Sequence, residues 1–280
     1  MQKIACLGPE GSFSHEFALA TFPEAEFIFA DAFGEVLKRT LDDGCHGAVI
    51  PFLNSSGVQV RPAQKAIGEY AGRLWVTGSF KHEVIHNLVV TEACEVIARI
   101  VSKEQVFPQC AEWLKQQFPD VAQGHSSSTS SALRELLEAP LEVQRQTAVI
   151  CNQFAVDTYG GVIRNAEIQN PKNVTIFLTL SPQRPTPKER ILVTIECPDR
   201  DCYDASVDRF ARRQCPMMFS SLVGEFSPEV PTFVELQVPK SVDSEKIIKF
   251  ECDASNGVRR FVGTFDGDFS ISDCVSSFFR

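Results

Sequence analysis

Between residues 3 and 181, short runs of apolar residues alternate with longer stretches whose apolar positions recur every three or four residues. The short runs predict strands at 3–7, 26–30, 47–52, 74–80, 88–91, 121–124, 147–151 and 173–180. The longer ones, such as AFGEVLKRTLDD (32–43) and TSSALRELLEA (129–139), predict helices packed by one face. Strand and helix in alternation predict parallel α/β sheets. The rhythm is irregular near 80–100 and 165–173, as expected where a chain crosses between two lobes. A two-lobed α/β domain is expected to hold its ligand in the cleft, outside the carboxyl ends of the strands.

The pattern changes after SPQRPTPKER (181–190), whose three prolines forbid regular structure and stiffen the chain. Beyond it, ILVTIEC reads as a strand and YDASVDRFARRQ as a helix. FSSLVGEF and TFVELQV read as two strands, SEKIIKFECDAS as a helix and VRRFVGTFDG as a last strand. That order, βαββαβ, is the ferredoxin-like split. The expected organisation is a two-lobed domain at 1–181, a linker at 182–190 and a small module at 191–280, which could pair with a copy of itself.

Composition narrows the function. The 280 residues are 44% hydrophobic and 22% charged, with a formal net charge of −9, as in ordinary globular proteins. An acidic chain without a basic cluster is not expected to bind nucleic acid or an anionic membrane surface. No run of about 20 apolar residues is present to span a bilayer. The ten cysteines are scattered, with no Cys-x-x-Cys pair, and MQKIACLGPEG enters a strand without an export-signal pattern. The expectation is a cytoplasmic protein with free, mostly buried thiols, no zinc and no other metal or cofactor.

Four stretches could carry chemistry. GPEGSFS (8–14) lacks the lysine of a phosphate loop and the third glycine of a dinucleotide fingerprint. It leaves exposed backbone N–H groups with Ser12 and Ser14 at a helix start, where Ser14 reads equally as a plain N-cap. VIPFLNSSG (49–57) runs a buried strand into Asn54, Ser55 and Ser56, either a polar site or a turn. GHSSSTSSALREL (124–136) opens a helix on serines that suit a carboxylate or simply cap it. In NVTIFLTL (173–180) Thr175 interrupts an apolar strand. His86, in EVIHNLVV, sits among apolar residues as a core histidine or a ligand.

In their order these segments resemble the prephenate dehydratase family. GPEGSFSHEFA is similar to its Gly-Pro-x-Gly-Ser/Thr-Phe-Ser/Thr loop, and VIPFLNSSG to Val-Pro-Ile-Glu-Asn-Ser. EVIHNL resembles Pro-Ile-His-His-x-Leu, with its second histidine at His86; SSTSSAL resembles the Ser-Thr-Ser/Ala helix start, and NVTIFL resembles Asn-x-Thr-Arg-Phe. The resemblance implies a periplasmic-binding-protein-like catalytic domain, followed by a regulatory ACT-type module. It implies prephenate as substrate, bound by Ser12, Leu53, Asn54, Ser55, His86, Ser128, Thr129, Asn152, Thr175, Ile176 and Phe177. Thr175, Ser128 and Asn54 would be catalytic, with Thr175 assisting departure of the ring hydroxyl. A homodimer is expected with it.

The chain also departs from the motifs. Ile176 replaces the arginine of Thr-Arg-Phe, Leu53 the glutamate before Asn-Ser, and Asn152 a serine. The module's Glu-Ser-Arg-Pro is at best EFSP (225–228). These departures resemble the prephenate decarboxylases of secondary metabolism, which remove CO2 without aromatising the ring, for antibiotic or peptide biosynthesis. Ile176 and Leu53 would dry the site and favour decarboxylation. The expected activity is therefore prephenate decarboxylase; the alternative is prephenate dehydratase, making phenylpyruvate for phenylalanine. A non-enzymatic solute-binding protein is the remaining reading.

Overall fold

The computed structural model describes residues 1–55, 60–222, 228–255, 258–265 and 271–276. In chain order they form β1 Lys3–Leu7, α1 Phe13–Thr21, β2 Glu26–Ala30, α2 Phe33–Asp42, β3 Gly47–Asn54, α3 Arg61–Glu69 and β4 Trp75–Glu83. Then follow β5 Asn87–Val90, β6 Arg99–Ser102, α4 Val106–Gln109, α5 Ala111–Gln117, β7 Ala122–His125, α6 Thr129–Glu138 and α7 Leu141–Gln144. Next come β8 Thr147–Cys151, α8 Gln153–Tyr159, β9 Val162–Asn165, β10 Val174–Ser181, β11 Arg190–Ile195 and α9 Arg200–Arg212. The chain continues with β12 Met217–Ser220, β13 Thr232–Gln237, α10 Ser244–Ile247, a π-helical turn Ile248–Cys252, β14 Arg259–Phe265 and α11 Ile271–Ser276.

These elements divide into two compact units: residues 1–5, 32–81 and 175–280, and residues 6–31 with 82–174. In the first, the strands lie in the order β12–β13–β11–β14–β4–β10–β3–β1. The last 90 residues contribute β11, α9, β12, β13, α10 and β14, the βαββαβ order, with sheet order β12–β13–β11–β14. Their apolar faces close over Ile191, Val193, Tyr203, Phe210, Leu236 and Ile248, all buried. Two buried glutamates stiffen this part. Glu235 is bound by Arg190 Nη1 at 3.1 Å and by the Ser272 N–H at 2.9 Å, while Arg209 and Arg213 bind Glu251.

The second unit has the sheet order β7–β6–β8–β5–β9. Alternation of side chains gives the sheet two apolar faces. Leu88, Val90, Ile100, Ala148 and Ile150 pack with Phe107 and Leu114 on one side. Val89, Val149 and Cys151 pack with Ala132, Leu133 and Leu136 of α6 and Ala155 of α8 on the other.

Three expectations need correction. The sheets are mixed rather than parallel: β6 runs parallel to β7 and β8, but β5 is antiparallel to both β8 and β9, and β10 is antiparallel to β3. The irregular stretch at 80–100 is partly regular, since β4 extends to Glu83 and β6 begins at Arg99. β6 has four residues, too few to show a period, and is held by a partner on each side. Finally, the thiols are not all free. Asp199 caps α9 by accepting the Cys202 N–H at 2.8 Å. This folds the loop back, brings Cys202 within 5.6 Å of Cys197 (Cα to Cα) and allows their disulfide. Of the strand expected at 219–226, only its start lies in β12, and 223–227, with most of EFSP, are outside the described residues.

β14 joins β4 in parallel at one point, Gly263 opposite Val76. A Cβ on Gly263 would run into the Val76 carbonyl oxygen. Gly263→Ala is therefore expected to destabilise the chain by about 1–3 kcal/mol, the usual cost of overpacking, read as a lower urea midpoint at unchanged slope.

Candidate active site

In the first unit, β3 and β10 are antiparallel neighbours whose register sets Thr175 opposite Asn54 and Ile176 opposite Leu53. Asn54 Nδ2 donates to Thr175 Oγ1 at 3.0 Å. The Thr175 proton has no hydrogen-bond acceptor among the described residues, so it is free to donate to a ligand. Ser55 follows Asn54 at the strand's end and is half-buried; Ser56 lies outside the described residues. Ile176, Phe177 and Leu53 are buried at 0%, 2% and 8% exposure.

The register changes the meaning of two departures. Directly opposed residues on antiparallel strands bring their side chains together. The motif's glutamate and arginine therefore correspond to one cross-strand pair, replaced here by the apolar pair Leu53–Ile176. The replacement leaves the net charge of the two positions unchanged.

In the second unit the glycine turn is tied to itself. Gly11 takes φ +75°, and a Cβ there would meet the Tyr159 ring at 3.1 Å and the Ala155 Cα at 3.3 Å. This is why the position needs glycine. Tyr159 also donates to the Glu10 carbonyl at 2.9 Å. The N-cap of α1 is Ser12, not Ser14. Its hydroxyl accepts the His15 N–H at 3.2 Å and donates to the Leu7 carbonyl, while Ser14 is the second residue of the helix. Two of the turn's N–H groups, expected to be open, are taken. Gly11 N–H donates to His15 Nδ1 at 3.2 Å and Ser12 N–H to the Pro9 carbonyl at 3.2 Å. His15, ringed by Phe27, Phe29 and Phe154, is pushed below the usual imidazole range by burial, so its Nδ1 remains an acceptor.

Asn152 caps α8, its Oδ1 accepting the Ala155 N–H at 3.2 Å. Its Nδ2 donates to Glu16 Oε2 at 2.8 Å, and His82 Nε2 lies 3.7 Å from that oxygen. Glu16 was not singled out in the sequence, although its place one turn beyond Ser12 gives a faint signal. Ser128 caps α6, accepting the Ser131 N–H at 2.9 Å and donating to Ser131 Oγ at 2.8 Å. Thr129 is buried in the helix's first turn. His86 is 1% exposed and its Nε2–H donates to Gln109 Oε1 at 2.8 Å, an oxygen that also accepts from Asn173 Nδ2 at 2.8 Å. Burial pulls its pKa down to about 4. Gln109 lies in none of the four candidate stretches. A cavity of about 510 Å³ in the first unit, walled by Trp75, Arg184, Glu245, Lys249 and Phe261, contains none of these residues.

The polar residues thus form a strand pair in one unit and a set of helix starts in the other, with the same motif order along the chain. A sequence model described as prephenate dehydratase matches residues 4–185. The chain belongs to the prephenate dehydratase family. A bifunctional chorismate mutase/prephenate dehydratase of Stutzerimonas stutzeri is 28% identical over 189 residues, 66% of this chain and 50% of that protein. The prephenate dehydratase of Lactococcus lactis subsp. lactis (strain IL1403) is 26% identical over 183 residues, 65% of this chain and 64% of that one. The chain therefore spans about half the length of the first of these relatives. Among solved structures, a prephenate dehydratase from Arthrobacter aurescens in complex with L-Phe superposes with TM-score 0.74 at 21% identity, covering 98% of this chain and 96% of that one. A protein described as a novel type of quorum quenching acylase superposes with TM-score 0.70 at 15% identity, covering 94% and 97%. Both likenesses show the fold, and their different descriptions show that the fold alone does not choose the reaction. Among the described residues no helix is long and apolar enough to cross a membrane.

His86 gives a pH test. Unfolded, it titrates near 6.5; folded, near 4, so the unfolded chain binds the proton first. Stability is full above pH 6.5 and falls as pH drops toward 4, by on the order of 3 kcal/mol at about 1.36 kcal/mol for each pH unit. Denaturant midpoints are expected to fall across this window, and His86→Gln to flatten the fall. An equally steep fall in the variant would count against the assignment.

Proposed function

We propose that the chain is a lyase acting on prephenate, and that it is a dehydratase, taking out the carboxylate and the ring hydroxyl together to leave phenylpyruvate. The observation that carries this reading is the Asn54–Thr175 hydrogen bond. Hydroxide is a poor leaving group and needs a proton donor. A hydroxyl that accepts from an amide is a better donor through its own hydrogen, because bonds in a chain polarise one another. Thr175, with its proton unspent, suits that task. The described relatives are dehydratases, which supports the same choice.

In this reading Thr175 donates to the departing oxygen, Asn54 sets the Thr175 hydroxyl, and Ser55, Ser128, Thr129, Ser12 and Asn152 bind the polar groups of prephenate. His86 acts from the core, fixing Gln109 and Asn173. Leu53, Ile176 and Phe177 form the apolar floor behind the polar pair. A cytoplasmic homodimer, paired through residues 191–280, belongs to the same proposal.

A second reading rests on Leu53–Ile176. With both motif charges replaced by apolar side chains, this pair offers no ionic support to the leaving hydroxide. Non-aromatising loss of CO2 would then compete, as in the decarboxylases of secondary metabolism. Moving a carboxylate toward an apolar surface raises its energy, and loss of CO2 relieves that.

One assay separates the two. With prephenate, the dehydratase reading expects phenylpyruvate and CO2 in equal amounts; CO2 without an aromatic product would establish the second reading, and neither product would sink both. Thr175→Ala is expected to lower kcat by about 100-fold or more, with Thr175→Ser retaining most activity. Ile176→Arg alone buries an unpaired guanidinium and is expected to cost about 3–5 kcal/mol, whereas Leu53→Glu with Ile176→Arg restores the ion pair and recovers most of that stability. Thermal melts of the three variants read this directly.

A further inference from the structure

The carboxyl edge of the second unit's parallel strands holds a charge that no step above uses. β6 ends at Ser102, level with His125 of β7, and Val101 is level with Val149 of β8. Continuing that register brings Lys103 to the same edge as Ser126, where β7 gives way to the start of α6. It also puts Lys103 level with Cys151, the residue before Asn152. Ile100 packs with Ala148 and Ile150 on the face away from α6, while Val101 packs on the α6 face with Val149 and Leu133. Lys103, two positions beyond Val101, falls in the α6 row.

Lys103 is half-buried, and its ammonium has neither a hydrogen bond nor an ion pair among the described residues. Burial alone pushes it below the ordinary lysine range. Such a charge is costly to keep unless an anion comes to it. Two features at this edge favour an anion. Helix α6, ten residues long, starts here with its N-terminal dipole and Ser128 cap. The acid held by Asn152, Glu16, is already engaged with that amide and with His82. A dicarboxylate substrate brings two negative charges, and Lys103 offers a cation that no group among the described residues has neutralised.

We propose that Lys103 is a substrate-binding residue whose ammonium takes a carboxylate of the anionic substrate at the carboxyl edge of β6 and β8. This rests on the reading that the substrate is a dicarboxylate such as prephenate.

The test uses the full chain, Lys103→Met and Lys103→Arg, with prephenate as probe. Loss of a charged hydrogen bond is expected to raise KM about tenfold or more in Lys103→Met while kcat stays within about threefold, and Lys103→Arg is expected to restore most of the affinity. The melting temperature of Lys103→Met is expected to be unchanged or higher, because methionine removes an uncompensated half-buried charge. An unchanged KM in Lys103→Met overturns the proposal and leaves the lyase reading standing. A lowered melting temperature that Lys103→Arg does not restore also overturns it, since the lysine is then structural. If the wild-type chain does not turn over prephenate, the lyase reading falls, and Lys103 is judged by amine acylation mapped by mass spectrometry. Slower labelling of Lys103 with prephenate or phenylpyruvate present supports the proposal, and no slowing with either overturns it.

Discussion

The antiparallel ladder between β3 and β10 is the constraint on which the candidate site depends. Its partners, Asn54 and Thr175, are 121 positions apart, so only the completed sheet brings the amide to the hydroxyl. Side chains alternate along a strand, so one register fixes both faces at once. With Thr175 opposite Asn54, Ile176 must lie opposite Leu53. A slip of one residue would break the polar pair and bury a polar group where the apolar pair now packs. The same ladder therefore sets the polar pair and secures the core beneath it.

This coupling alters how the departures from the family motifs weigh on the reaction. Read along the chain, Leu53 and Ile176 are separate losses, one of a negative and one of a positive group. Across the ladder they are one event, an ion pair exchanged for an apolar pair. Such exchanges are often neutral or stabilising, because the apolar pair escapes the desolvation cost of two buried charges. They are therefore weak evidence for new chemistry. Asn152 is a different matter. It keeps the capping task that a serine would perform, and it adds a second amide contact to Glu16.

How much was legible follows from the range of each signal. β1, β2 and β8 were delimited to the residue, since each is a short apolar run with clear breaks. The βαββαβ order was legible for the same reason. β6 was missed because four residues carry no period, and the mixed sense of the sheets was hidden because strand direction depends on partners remote in sequence. A cap at Ser14 is two positions from the true cap, Ser12, because the turn's positive-φ glycine rather than the serines sets where the helix starts. The Cys197–Cys202 disulfide has four residues between its ends, a spacing without meaning until Asp199 folds the loop. Of the candidate site, the residue types were legible and their partners were not: Gln109 and Glu16 carry no motif, only contacts.

The glycine turn is where these lines meet. As sequence it reads as an anion cradle, because glycine and serine before a helix leave N–H groups open. In the fold, Gly11 and Ser12 spend theirs on His15 and Pro9, and burial keeps His15 neutral so that it can accept. The turn is thus a clamp. It presses against Ala155 and Tyr159 of α8 and so holds the helix that Asn152 caps. On the reading proposed for Lys103, anion recognition falls instead to the end of β6, where its ammonium has no partner among the described residues. What reads as a cradle for an anion is, at Gly11 and Ser12, a support for α8.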